Sequence, residues 1–162
     1  LLLDAFRTLD DPQARLLVAG HAHQPAYAAA IADLAGRDPR VRLLLRHVPD
    51  DELQVFFHAS DACILPYRAV TTSGAALLAL SFGCPIVAPR LGPFPELAAD
   101  GRGILFQPEN AADLAQALRT VRQLDQATAQ AACLTYAQTL AWPVVAQMHL
   151  AAYQKARRGA PC

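Results

Sequence analysis

The residues best suited to chemistry lie in one short loop that leads into an apolar helix. The loop, residues 66–76, is rich in small and hydroxyl side chains. A helix start presents backbone N–H groups without partners, and these attract anions such as phosphate. Thr72 and Ser73 can add hydroxyl donors, and Gly74 lets an anion approach the backbone. Arg68 can add a charge-assisted contact. The pattern predicts a phosphate site, with a plain helix cap at Thr72 or Ser73 as the alternative.

Other polar residues near the same loop admit two interpretations each. His21 and His23 would share a face of an extended segment and chelate a metal, or they are ordinary loop residues. His47 is a general base or a solvated side chain. Tyr67 stacks on a ligand or packs against the protein. The residue types alone leave all of these alternatives open.

Composition excludes several classes of partner. The 162 residues carry no formal net charge and only 17% charged side chains, so nothing favours nucleic acid. No apolar run is long enough to cross a bilayer, and the start is unlike a signal peptide. Four cysteines without metal-type spacing indicate reduced thiols: Cys63, Cys84, Cys133 and Cys162. We expect a cytoplasmic protein without a membrane span, although peripheral membrane contact of a longer protein stays open.

Strand and helix signals alternate along the chain. Short apolar runs predict buried strands at residues 15–20, 41–45, 62–65, 85–88 and 103–106. Between them, helical spacing predicts helices at residues 24–35, 50–57 and 74–82, with Asp50 as an N-cap. Asn110 caps a further helix, and residues 126–157 are helical with a break at Trp142-Pro143. This alternation predicts an α/β fold: a Rossmann-like parallel sheet with helices on both faces and extra C-terminal helices.

Ligands of such sheets bind beyond the carboxyl ends of the strands. The turns after Gly20, Leu45 and Leu65 should gather at that edge. The loop at residues 66–76 therefore lies where a ligand is expected.

Six segments, in order, resemble the group 1 (family 4) glycosyltransferases. They are the strand ending at Gly20, residues 41–51, 60–66 and 72–88, the element Pro95-Glu96-Leu97, and residues 101–108. The segment TSGAALLALSFGCPIVA corresponds to the family stretch that usually ends in EAMA-G-PVVA. The resemblance covers residues 1–123, and residues 124–162 add C-terminal helices.

The resemblance implies a GT-B transferase, which has two Rossmann-like domains with a cleft between them. This chain would be the half that binds the nucleotide-sugar donor, and it would need no cofactor. The resemblance also implies that transfer is metal-independent and retains the anomeric configuration of the sugar. The absence of an Asp-x-Asp motif agrees with metal independence. The implied donor-binding residues are Gly20, Arg46, His47, Val48, Tyr67, Arg68, Thr72, Ser73, Gly74, Ala75 and Glu96.

Two departures from the family pattern qualify this assignment. The family often carries two glutamates, whose positions here are Val70 and Leu78, so no catalytic residue is assigned. The family domain also begins with a strand and a Lys/Arg-bearing turn, whereas Leu1 already corresponds to the following helix. We therefore expect an N-terminally truncated domain, an acceptor domain outside the chain, and a gap or open edge in the sheet. Such an edge favours intermolecular pairing, and the fragment alone should be inactive.

Two alternatives to the transferase remain at this point. The missing carboxylates favour a non-catalytic nucleotide-sugar-binding module derived from a transferase. A GT-B-like sugar-nucleotide epimerase would need carboxylates and a histidine that no pattern in this chain places.

Overall fold

The computed structural model describes residues 1–159, with side-chain exposure for residues 1–157. Five strands are present in this range: β1 (Leu16–Ala19), β2 (Val41–Leu44), β3 (Cys63–Ile64), β4 (Ile86–Pro89) and β5 (Gly103–Phe106). The helices between and after them are α1 (Leu2–Arg7), α2 (Pro25–Gly36), α3 (Asp50–His58), α4 (Gly74–Ser81), α5 (Phe94–Leu97), α6 (Ala111–Val121), α7 (Gln126–Thr139) and α8 (Trp142–Gly159). The predicted α/β class is confirmed.

All strand pairs are parallel, but the strands form two sheets. β1 pairs with β2, with Leu16 opposite Val41. β4 pairs with β3 on one side and β5 on the other, with Ile86 opposite Cys63 and Gly103. No pairing joins β1 to β3. The expected interruption of the sheet therefore falls between these two strands.

Helices cover both faces of the sheet because side chains alternate along each strand. On β4, Val87 points into a cluster with Phe6 of α1 and Leu114 of α6. Its neighbours Ile86 and Ala88 point into a second cluster that contains Leu80 of α4 and other buried apolar residues. The four residues of β4 are all buried. The predicted two-faced Rossmann-like layer is thus present.

Most predicted elements lie within a few residues of the observed ones. Asn110 caps α6 as predicted, because its side chain accepts a hydrogen bond from the Asp113 N–H at 3.0 Å. The prediction that Asp50 is an N-cap is wrong: Asp50 is the first helical residue, and Pro49 precedes it without a side-chain cap bond. The single-turn helix α5 was not predicted, since four residues are too few for a periodic signal.

Three of the four cysteines lie among the described residues. Cys63, Cys84 and Cys133 are free. Burial raises the pKa of Cys84 to about 12 and the pKa values of Cys63 and Cys133 to about 11, so all three are protonated at neutral pH. Cys162 lies outside the described residues. None of the helices described for residues 1–159 has the length and apolarity of a membrane span.

A guanidinium ties together the two turns at the amino edge of β1 and β2. Arg40 donates to the Asp38 carboxylate at 2.8 and 3.0 Å, and to the carbonyl oxygens of Leu9 and Asp11 at 2.7 and 2.9 Å. Its guanidinium carbon also lies 4.9 Å from the centre of the Phe6 ring. The hydrogen bonds from Arg40 hold the pKa of Asp38 at about 2, below its ordinary value. The ionised Asp38 therefore stabilises the fold.

Asp38→Asn should lower the free energy of unfolding at neutral pH. A folded-state pKa below the unfolded value gives stability above the unfolded pKa of about 3.9, and that stability is lost as pH falls to about 2. Native and variant curves should therefore converge between pH 4 and pH 2 in urea titrations. Asp33→Asn is the control, because Asp33 pairs with Arg37 at the exposed surface. A difference that persists unchanged at the lowest pH would contradict this role of Asp38.

Candidate functional site

The loop between β3 and α4 is held in place by the turn that follows β4. The Tyr67 ring centre lies 5.6 Å from that of Phe94, at the start of α5. Gly92 has φ of 48°, and a Cβ atom on it would lie 2.9 Å from the Val70 carbonyl oxygen. Gly92 therefore permits a close backbone approach that other residues would obstruct. Sequence reasoning missed this contact, although Gly92-Pro93 was an available turn signal.

The first turn of α4 combines free donors with open space. Ser73 is buried, and its Oγ accepts a hydrogen bond from the Ala76 N–H at 3.2 Å. Ser73 is therefore the N-cap of α4. Gly74 and Thr72 are exposed, Ala75 is half-buried, and a Cβ atom on Gly74 would meet nothing within 4 Å. The backbone at Gly74 can thus be approached from solvent.

Charge distinguishes the start of α4 from those of two other helices. The first turn of α3 contains three carboxylates, Asp50, Asp51 and Glu52, and that of α6 contains Asp113. Such side chains already complement the positive end of a helix. α4 has no acidic residue in its first turn. A bound anion would meet no carboxylate of the helix there.

Arg68 lies within the loop, and Arg90 precedes Gly92 by two residues in the turn after β4. Arg68 is 82% exposed, and its Nε lies 3.6 Å from Oε1 of Glu109. Arg90 directly follows β4, where its N–H donates to the Phe106 carbonyl at 2.8 Å. Its side chain is exposed and has no ion pair among the described residues. Sequence reasoning did not select Arg90 or Glu109, although Arg90 was visible as a cation at the carboxyl end of a predicted strand.

Four of the predicted donor-binding residues lie at the carboxyl ends of β1 and β2: Gly20, Arg46, His47 and Val48. Arg46 forms an ion pair with Glu52 and donates to the His47 carbonyl at 3.0 Å. His47 is exposed and Val48 is half-buried. Gly20, with φ of 143°, ends β1 and donates its N–H to the Leu44 carbonyl at 3.1 Å. No hydrogen bond or ion pair among the described residues joins this group to the loop at 66–73.

Glu96 contacts helix α7, and no hydrogen bond or ion pair among the described residues joins it to the loop between β3 and α4. Tyr136 of α7 donates to its carboxylate at 3.5 Å. The buried Arg102 donates to the Glu96 backbone carbonyl at 2.7 Å, and its guanidinium lies 4.2 Å from the centre of the Tyr136 ring. These contacts join Glu96 to Tyr136 and Arg102 within the fold. The contact of Glu96 with a donor stays a prediction.

Two hollows lie elsewhere on the surface. One, of about 360 Å³, is lined by His21, His23 and Tyr27, and the two imidazole rings are 4.7 Å apart. Among the described residues, no three potential ligands are grouped as a metal site would require. The other, of about 350 Å³, includes Phe57 and Phe82 at the amino ends of β3 and β4. It therefore lies at the edge of the sheet opposite to the loop between β3 and α4.

Comparison with known proteins identifies the family. The glycosyl transferases group 1 family matches residues 1–123, three quarters of the chain. The chain belongs to this family. The sequence-based resemblance is therefore confirmed over the residues for which it was drawn.

Relatives of this chain are named enzymes. It is 31% identical over 160 residues to GDP-mannose:glycolipid 4-beta-D-mannosyltransferase of Xanthomonas campestris pv. campestris. It is 29% identical over 151 residues to D-inositol 3-phosphate glycosyltransferase of Mycobacterium sp. (strain KMS). These matches cover 96% and 90% of the chain, but only 44% and 34% of the relatives. The chain thus spans less than half the length of either enzyme.

Solved structures of similar fold are GT-B glycosyltransferases. A glycosyltransferase from Rickettsia africae superposes with a TM-score of 0.81 at 16% identity, over 98% of this chain and 44% of that one. Anabaena HepE, solved in complex with UDP-glucose, gives 0.76 at 22% identity, over 96% and 44%. At these identities the comparison establishes the fold of the transferase domain.

Proposed function

We propose that this domain binds the nucleotide-diphosphate-sugar donor of a glycosyltransferase. The observation that carries the proposal is the start of α4, where exposed backbone at Gly74 combines with a first turn that has no acidic residue. The diphosphate would lie against the backbone N–H groups at the start of α4, with Thr72 and Ser73 beside it. The base would lie across the edge, near Arg46, His47 and Val48.

Transfer of the sugar leaves negative charge on the diphosphate. Preorganised N–H groups at α4 and the exposed cations Arg68 and Arg90 are suited to stabilise that charge as it develops. The same groups support the prediction that no bound metal is required. Glu109 pairs with Arg68 in the free domain, so donor binding would exchange one anionic partner of Arg68 for another.

We further propose that the domain acts as one half of a longer enzyme. The relatives are more than twice as long as the matched region, and acceptor recognition would belong to the other half. We place the enzyme in the cytoplasm. Retention of the sugar's anomeric configuration is implied by the family resemblance alone. The mannosyltransferase relative is named for a β-linkage, so the stereochemistry of transfer by this enzyme must be measured. NMR of the anomeric proton, compared between donor and product, distinguishes retention from inversion.

Calorimetry with UDP, GDP and ADP tests donor binding. The titrations should use the longer polypeptide that contains this domain, in EDTA, with circular dichroism as proof of folding. We expect one nucleotide to bind at least about tenfold more tightly than the others, a difference of about 1.4 kcal/mol. Absence of binding by all three in a folded protein, both in EDTA and with added Mg²⁺, would refute the donor-site assignment. A strict requirement for added Mg²⁺ would refute metal independence.

One observation favours a second function, a nucleotide-sugar-binding module without catalysis. Val70 contacts the Gly92 turn and Leu78 is half-buried in α4, so neither of the family's two glutamate positions presents a carboxylate. Donor binding without turnover of any donor, including hydrolysis to the free sugar, would support the module. Sugar transfer would exclude it.

A further inference from the structure

A hollow of about 350 Å³ lies at the amino edge of β3 and β4, and we refer to it as the amino-edge hollow. Three helix ends enclose it. α3 ends there at His58, α4 ends just before Phe82, and α7 begins there at Gln126. Small-molecule sites have volumes of about 300–1,000 Å³, so the hollow has room for one small ligand.

A glycine brings two of the enclosing helices together. Gly83 follows α4 and is buried against α7. A Cβ atom on Gly83 would lie 2.6 Å from Cγ of Gln130 on α7. A larger residue would separate the two helices, so the absence of a side chain at Gly83 keeps this wall of the hollow closed.

The lining of the amino-edge hollow favours a positively charged ligand. Of its eleven lining residues, Asp61 and His58 are the ionisable ones, and none is lysine or arginine. Asp61 is exposed and forms no hydrogen bond or ion pair among the described residues. The carboxyl ends of α3 and α4 add partial negative charge, because the last carbonyl groups of a helix lack intrahelical partners.

The amino end of α7 does not reverse this charge. Asp125 caps the helix, and its carboxylate accepts a hydrogen bond from the Thr128 N–H at 3.2 Å. The hydrogen bonds from Thr128 lower the pKa of Asp125, so the carboxylate is ionised at neutral pH. A negative charge at this position offsets the positive end of the helix dipole.

Aromatic rings form one wall of the amino-edge hollow. The rings of Phe57 and Phe82 stack with their centres 5.3 Å apart, and the His58 ring meets Phe82 edge-on at 5.8 Å. Phe57 and Phe82 are half-buried and line the hollow, so part of each ring is open to a ligand. The faces of such rings attract cations, above all quaternary ammonium groups.

We propose that the amino-edge hollow binds a small quaternary ammonium ion. A primary ammonium group needs up to three hydrogen-bond acceptors, whereas this hollow offers one unpaired carboxylate beside three rings. A quaternary group donates no hydrogen bond and presents methyl groups to the rings. Its charge would lie near Asp61 and the carboxyl ends of α3 and α4. The ion would not contact the loop between β3 and α4, which lies at the other edge of the sheet.

An NMR titration with choline tests this site. The methyl-proton signal of choline is followed in the presence of the longer polypeptide that contains this domain, at pH 8, where imidazole is neutral. We expect saturable binding with a dissociation constant below about 10 mM. The uncharged isostere 3,3-dimethyl-1-butanol should bind at least about fivefold more weakly. Equal binding of the two probes, or no saturable binding of choline, would overturn the proposal.

Two substitutions locate the bound choline. Asp61→Asn should weaken binding about fivefold, because it removes the charge and keeps the shape. Phe82→Leu should weaken it about threefold, because it removes one ring and keeps an apolar side chain. Asp33→Asn is the control, since Asp33 lies on the exposed surface of α2 and does not line the hollow.

Circular dichroism shows whether each variant is folded. Native affinity for choline in a folded Asp61→Asn or Phe82→Leu protein would overturn the proposal. An equal loss of affinity in Asp33→Asn would also overturn it, because choline would then respond to the overall charge of the protein and not to this hollow.

Discussion

Gly103→Ala is expected to destabilise the domain by at least about 3 kcal/mol, since overpacking against backbone cannot be relieved by a side-chain rotation. A Cβ atom on Gly103 would lie 2.3 Å from the Ile86 carbonyl oxygen and 2.8 Å from Ile86 Cγ1. Ile86 and Gly103 are direct neighbours in the β4–β5 ladder. The strands must separate to admit one methyl group. Domains of this size are stable by only about 5–15 kcal/mol, so the variant should have a much lower midpoint in urea.

Gly36→Ala is the matched control for this substitution. Gly36 ends α2, and a Cβ atom there would meet nothing within 4 Å. Alanine is a better helix residue than glycine by up to about 1 kcal/mol, so this variant should be as stable as the native chain or slightly more so. Equal stability of the two variants in urea titrations would show that the close approach at Gly103 is absent.

Gly74→Asp is expected to reduce nucleotide affinity by at least about 100-fold, about 2.7 kcal/mol, while the fold is kept. The new carboxylate enters open space at the start of α4, where it repels the diphosphate and competes for the same N–H groups. An acidic residue in the first turn also suits the helix dipole. The thermal midpoint should therefore not fall, and this separates loss of binding from loss of folding.

Gly74→Asn supplies the control for shape. Asparagine has nearly the same size as aspartate but no charge, so its affinity for the nucleotide should stay much closer to native. The measurement is calorimetric titration of native and variant forms of the longer polypeptide with the nucleotide that binds best. Native affinity in the aspartate variant would remove the start of α4 from the site.

Local sequence signals predicted well those elements of the fold that depend on neighbouring residues in the chain. The apolar run at Gly103–Phe106 is β5 without any shift. Asn110 caps α6 because its short side chain can reach an N–H three residues ahead. Trp142-Pro143 marks the start of α8, where proline is tolerated in the first turn. Asp50 failed as a cap because a carboxylate suits the first helical turn equally well.

The candidate site was predictable in part. Sequence placed Thr72, Ser73 and Gly74 at a helix start, and they lie there. Sequence could not show that Gly92 supports Val70, or that Arg90 has no acidic partner among residues 1–159, because these facts depend on strands adjacent in space. The donor-binding roles of all the predicted site residues stay predictions, and so does the boundary at residue 123.

By itself, the sequence determined the class of fold, the order of its parallel strands and helices, and membership of a glycosyltransferase family. The fold class and the order of its elements follow from apolar periodicity, turn residues and caps, which act over a few positions. Family membership follows instead from the resemblance of six segments to a known family. Tertiary structure alone decided where the sheet is interrupted, that Arg40 joins two distant turns, and that the start of α4 is open to solvent. Such features arise from backbone pairing and packing between segments far apart in the chain, where no local pattern records the neighbour.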